Sequence, residues 1–135
     1  MAVDYGDART GIAVSDESAS LAGEAWVIQE KNQETVARIV ASEAVSRNVR
    51  VIAVGHPKNM NGSVGPRAEK SEQLAGLLRT LCYIEVVLWD ERMTTMSAHR
   101  ILTDTGRYGK KRKKTVDAVA ASLILESYLR YVGQE

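Results

Sequence analysis

The sequence predicts an α/β protein built on one five-stranded mixed sheet, three antiparallel strands followed by parallel additions, flanked by helices in the order β-β-β-α-β-α-β-α-α. Two patterns carry that expectation. Apolar residues alternate with period two through the opening segment, where short polar turns allow hairpins. Further on, strand-like runs alternate with helix-period segments, which brings successive strands parallel through right-handed crossovers. No internal repeat or long linker interrupts the 135 residues, so residues 1–135 are expected to form a single domain.

Each element has its own signal. Alternation in Ala2–Gly6, Gly11–Ser15 and Ala25–Gln29, separated by "DART" and "DESASLAGE", gives three strands. From about Gln33 to Arg47, Val36, Ile39, Val40 and Ala44 recur at helical spacing. "VIAVG" returns to strand, and the Gly- and Asn-rich "HPKNMNGSVG" is a loop. Pro66 suits the first turn of a helix whose apolar stripe is Leu74, Leu77, Leu78 and Leu81. "IEVVLWD" is the fifth strand, followed by "ERMTT", a short helix through about Asp104, a basic connector, and a final helix from about Val116 to Tyr131.

The bulk properties narrow the function classes. A chain of this size buries a sizeable core without cross-links, and the lone Cys82 cannot form an intramolecular disulfide, as expected for a reducing cytoplasm. No run approaches the ~20 apolar residues of a membrane helix, and the N-terminus lacks signal-peptide character. A soluble, cytoplasmic protein without a membrane partner is expected. The formal net charge of +1 is uninformative as a sum, because the charges are unevenly placed.

Three carboxylates fall where a mixed sheet brings strand ends together: Asp4 on the first strand, Glu91 just past the fifth, and Asp117 in the first turn of the last helix. Each has an ordinary alternative. Asp4 fits a turn before Gly6, Glu91 a solvated strand end beside Asp90 and Arg92, and Asp117 a helix start behind a Thr115 cap. Yet an aspartate inside an apolar strand needs compensation. Like charges brought together call for a cation, and Mg²⁺ or Mn²⁺ takes such oxygen ligands together with a substrate phosphate. A pair of such ions activates water and stabilises the leaving oxygen in phosphodiester hydrolysis.

The motifs "DYGDARTGIAVSD", "VGHPKNMNGSVGPRAE", "DERMTT" and "VDAVAASLIL", in that order, resemble the YqgF/RuvX family, bacterial nucleases and Holliday junction resolvases of ribonuclease H-like fold. The resemblance runs nearly end to end. It implies Asp4, Glu91 and Asp117 as the acidic metal ligands, with Asp90 the weaker candidate beside Glu91. It also implies trimming of the 5′ end of precursor 16S rRNA or cleavage of four-way DNA junctions. The chain departs from the pattern at His56, where many relatives carry an aliphatic residue, and at its start, where similar proteins carry several residues before the "DYG" strand.

Several cations are candidates to hold nucleic acid. "GRYGKKRKKT" concentrates Arg107, Lys110, Lys111, Arg112, Lys113 and Lys114 just ahead of Asp117; its alternative is a solvated loop. Tyr108 adds a single stacking aromatic. Lys58, Asn59 and Arg67 in the loop before the Pro66 helix suit an anion. Arg9 and Arg92 suit either a phosphate or the neighbouring carboxylates. Thr94 and Thr95 read first as caps for the short helix, ahead of Ser97 and His99. No nucleophile motif places His56 or His99, and Cys82, Trp26 and Trp89 read as core.

The reading that follows is a metal-dependent endonuclease acting on structured nucleic acid. Precursor rRNA ranks above branched DNA because nothing in the chain supplies a two-fold device for paired cuts, and monomer and homodimer both stay open. The first motif is also similar to the phosphate loop of actin-like ATPases and sugar kinases, but the chain has room for one of their two domains. A non-catalytic RNA-binding ribosome-assembly factor is the alternative of another class.

Overall fold

A computed structural model of the chain describes residues 1–15, 22–93 and 110–133. Strands β1 (Ala2–Asp4), β2 (Arg9–Ser15), β3 (Ala22–Gln29), β4 (Val51–His56) and β5 (Glu85–Asp90) form one sheet in the order β3-β2-β1-β4-β5. The pairs β1–β2 and β2–β3 are antiparallel, whereas β1–β4 and β4–β5 are parallel. Helices α1 (Gln33–Ser46) and α2 (Pro66–Leu81) are the crossovers, and α3 (Lys110–Gly133) closes the described chain. The expected five-stranded mixed sheet is therefore observed, with strand edges moved by a few residues.

Local chemistry sets the element ends. The Asn32 side chain accepts from the Thr35 backbone N–H at 3.0 Å and caps α1, satisfying a donor that the first helical turn leaves orphaned. Past its end, Asn48 takes the left-handed conformation (φ 56°), which asparagine tolerates better than most residues. Pro66 opens α2 behind Gly65, where its missing N–H costs no hydrogen bond.

Two residue sets with period two divide the sheet into unlike faces. On one, Val3, Ile12, Val14, Ile28, Ile52, Val54 and Val86 pack against Val36, Val40, Leu74 and Leu78 of α1 and α2. On the other, Ala2 and Ala13 pack against Ala121, Ile124 and Leu125 of α3. Asp4, Gly11 and Gly55 share that second face by alternation. Small residues there let the α3 backbone approach closely. A Cβ on Gly11 would run into the Asp117 carbonyl oxygen, and one on Gly55 would come within 2.8 Å of Ile124 Cδ1 and 2.9 Å of Glu91 Cδ.

Two expectations need correction. The last helix does not begin near Val116 behind a Thr115 cap: it starts at Lys110, so Thr115 is helical and Asp117 lies beyond the first turn. Lys and Arg are good helix formers, and nothing in "KKRKK" breaks the helix despite the unfavourable charge at its amino end. The basic connector is, over Lys110–Lys114, the start of α3. After β5 the described chain makes only a 3₁₀ turn, Glu91–Met93; the short helix expected through Asp104 lies outside the described residues, as do Thr94, Thr95, Ser97, His99, Arg107 and Tyr108.

Candidate active site

Parallel pairing places the carboxyl ends of β1, β4 and β5 on one edge of the sheet, where Asp4 ends β1, Asp90 ends β5 and Glu91 follows it. The site assembles there. Asp4 pairs in register with Gly11 of β2, and Gly11 is the residue against which the Asp117 backbone of α3 rests. On the other side of β1, Gly55 leaves the room that Glu91 occupies. The two glycines flanking Asp4 thus bring the second and third acids toward it. Sequence reasoning passed over both, although a glycine inside a strand pattern is a signal of close approach.

The electrostatics match that convergence. Asp4 is pushed well above the ordinary carboxylate range by burial, then by the charge of Glu91, a side-chain hydrogen bond to Glu91, and the charge of Asp117. Burial also raises Glu91, while its hydrogen bond with Asp4 acts downward. Both acids are thus raised, with burial the first cause of each and a hydrogen bond joining them. Asp117 is raised by burial and drawn back by Arg9, whose Nε donates to Asp117 Oδ2 at 3.0 Å. Arg67, at the second position of α2, lowers all three acids through its charge.

The remaining candidates divide by what they touch. Asp90 is held below its ordinary range by Arg92, which grips both carboxylate oxygens, with Nη2 2.6 Å from Oδ2. Arg92 also reaches the Met60 carbonyl at 3.4 Å, tying the loop between β4 and α2 to the end of β5. Lys58 acts on Asp90 through its charge. Asn59 is turned into its own loop, donating to Ser63 Oγ at 2.9 Å. His56 is buried on the opposite face, its Nε2 3.7 Å from Glu72 Oε2 and outside hydrogen-bond range. Lys110, Lys111, Arg112, Lys113 and Lys114 form the amino end of α3.

The donor set is all-carboxylate, the chemistry of a hard divalent cation such as Mg²⁺ or Mn²⁺, and the crowded Asp4–Glu91 contact is the repulsive pair that such a cation relieves. Asp117 is turned to Arg9 instead. Among the described residues no three His, Cys, Asp or Glu side chains are grouped closely enough to hold a metal ion. The residues fit a cation at Asp4 and Glu91, and Asp117 lies near enough for its charge to act on Asp4.

Among the described residues no helix is long and apolar enough to cross a membrane. Comparison with known proteins gives a consistent result. A protein of Halothermothrix orenii, by name a candidate pre-16S rRNA nuclease, is 42% identical over 131 residues, covering 97% of this chain and 94% of that protein. One of Bacillus cytotoxicus with the same name is 43% identical over 131 residues, covering 96% of each. In fold, the chain is similar to Thermus thermophilus RuvC solved with a Holliday junction substrate, with a TM-score of 0.54 at 15% identity over 96% of this chain and 92% of that one; this ribonuclease H-like neighbour speaks to architecture alone. Residues 1–131 match the family model described as "RuvX: Holliday junction resolvase", and the chain belongs to that family.

Proposed function

We propose that this protein is a metal-dependent endonuclease that hydrolyses phosphodiester bonds in structured nucleic acid, with the 5′ end of precursor 16S rRNA as its substrate. The observation that carries the reading is the meeting of Asp4 with Glu91 at the sheet edge, within the field of Asp117 and Arg67. Asp4, Glu91 and Asp117 are the residues that would hold Mg²⁺ or Mn²⁺. When bound, such a cation polarises the phosphoryl oxygens and activates water for in-line attack.

The chain's own groups do the rest. Asp4 and Glu91 share a proton at their facing oxygens, and losing it prepares both to ligate. Arg67 supplies a fixed positive charge beside the acids, suited to a phosphodiester anion. Lys58, and the Lys110–Lys114 tract that opens α3, are suited to a substrate's phosphates. Arg92 acts through structure, pinning the loop that carries Lys58 and Asn59.

The relatives' names favour rRNA, while the family description favours branched DNA. One assay separates them: purified protein with Mg²⁺ or Mn²⁺ on a precursor-rRNA leader and on a four-way DNA junction, beside Asp4→Asn. We expect metal-dependent cutting of the leader, abolished by the substitution while binding persists. Cutting of the junction alone would reverse the substrate assignment. An Asp4→Asn variant as active as its parent would remove the catalytic assignment, and binding without cutting by the parent would favour an assembly factor.

A further inference from the structure

The ion pair between Arg9 and Asp117 decides where the third acid of the site points. Both side chains are partly buried, 32% and 22% exposed, and both backbones are closely packed. The Asp117 carbonyl abuts Gly11, and the Arg9 carbonyl lies against Gly6 in the turn between β1 and β2. Ala121, Ile124 and Leu125 anchor α3 to the sheet just beyond Asp117. The Asp117 carboxylate faces the guanidinium at 3.0 Å, while its charge already acts on Asp4, so a side-chain rotation about Cα–Cβ would exchange one partner for the other. Arg9 shares a sheet face with Gly11 and hence with Asp4, so a guanidinium released from Asp117 stays at the mouth of the site.

We propose that Arg9 couples cation binding to nucleic-acid binding: paired with Asp117 it competes with a divalent cation for that carboxylate, and released from it the guanidinium takes a phosphate of the substrate. The proposal rests on the metal-dependent reading above. Linkage makes the effect reciprocal, since a cation that frees Arg9 raises affinity for the phosphate, and the phosphate raises affinity for the cation by the same factor. Arg9 is in this sense a positioning residue for Asp117 before the substrate binds and a phosphate contact afterwards.

The test uses the full chain with Mn²⁺ and a nuclease-resistant single-stranded phosphorothioate oligonucleotide as probes. In the parent, Mn²⁺ should tighten oligonucleotide binding about tenfold, the size of a typical coupling of ~1.4 kcal/mol. Arg9→Met should bind Mn²⁺ about tenfold more tightly than the parent and lose most of that enhancement, keeping only what a direct cation–phosphate contact gives. A second readout needs no loss of charge: the Arg9 Nε–H resonance, identified by its absence in Arg9→Lys, should move on Mg²⁺ titration as its acceptor changes. This signal also decides the question if Arg9→Met does not fold. An Nε–H resonance indifferent to Mg²⁺, or an Arg9→Met variant that keeps the full enhancement, would overturn the coupling. A parent that binds no Mn²⁺ would instead overturn the metal site itself, leaving the two failures distinct.

Discussion

Asp4 shows what an acid costs inside a sheet and when that cost is felt. Because its pKa is raised in the folded protein by burial and by Glu91, the native state holds a proton that the unfolded chain releases above the ordinary value of 3.8. Below that value both states are protonated and the contribution to stability is complete. It is lost as pH climbs toward the raised folded value, since the native state then binds more protons than the unfolded one. Metal-free protein should therefore lose stability as pH rises from the ordinary value through the raised one. Asp4→Asn, which keeps a donor toward Glu91 without the charge, should flatten that profile and raise the melting temperature at the upper end by ~2–5 °C, for roughly 1 kcal/mol in a domain of this size. Melts in chelator check this, and adding Mg²⁺ should stabilise the parent more than the variant. A variant that melts with the parent's pH profile would mean that Asp4 is not the proton's holder.

The packing of α3 on the sheet depends on what is missing from β2 and β4. Gly11→Ala inserts a methyl group where the Asp117 carbonyl sits, and forcing the helix outward should cost about 1–3 kcal/mol or more, with loss of activity as Asp117 moves. Gly76, inside α2 with nothing within 4 Å of its would-be Cβ, gives the opposite expectation. Gly76→Ala should stabilise by about 0.5–1 kcal/mol. Urea unfolding of the two variants beside the parent measures both signs. These glycines also mark how far the sequence can be read. Period-two alternation announced the strands, and helical spacing with Pro66 announced α1 and α2, because burial of one face leaves its pattern in the residues themselves. The acids were proposed from residue type and motif order, and the fold brings Asp4 and Glu91 together at the sheet edge. What they touch was hidden: an arginine spent on an internal carboxylate, as Arg92 is on Asp90, looks the same in a sequence as one waiting for a phosphate. The amino end of α3 was misread for a related reason, since a tract of Lys and Arg has helix propensity but no apolar stripe to show it.

In a chain of net charge +1, the acids Asp4, Asp90 and Glu91 gather at the sheet edge, and Lys110–Lys114 open the helix that carries Asp117. Helical rise places Lys114 about 4.5 Å and Lys110 about 10 Å from Asp117 along the axis of α3, a span comparable with one or two nucleotides of a single strand. If the tract engages the substrate, its phosphates would run alongside it toward Asp4 and Glu91. Replacing Lys110, Lys111, Arg112, Lys113 and Lys114 together by Gln should then weaken binding of the rRNA leader at every sequence. It should also flatten the dependence of log K on log salt by ~0.7 for each single-strand phosphate that is no longer neutralised, or roughly 2–4 in all. Turnover at saturating substrate should hold near the parent's, because the tract supplies affinity and not ligands. Fluorescence anisotropy across a salt series, paired with kcat, reads both quantities. A salt slope equal to the parent's would mean that the nucleic acid enters along another side of the sheet edge, leaving Lys58 and Arg67 as its guides.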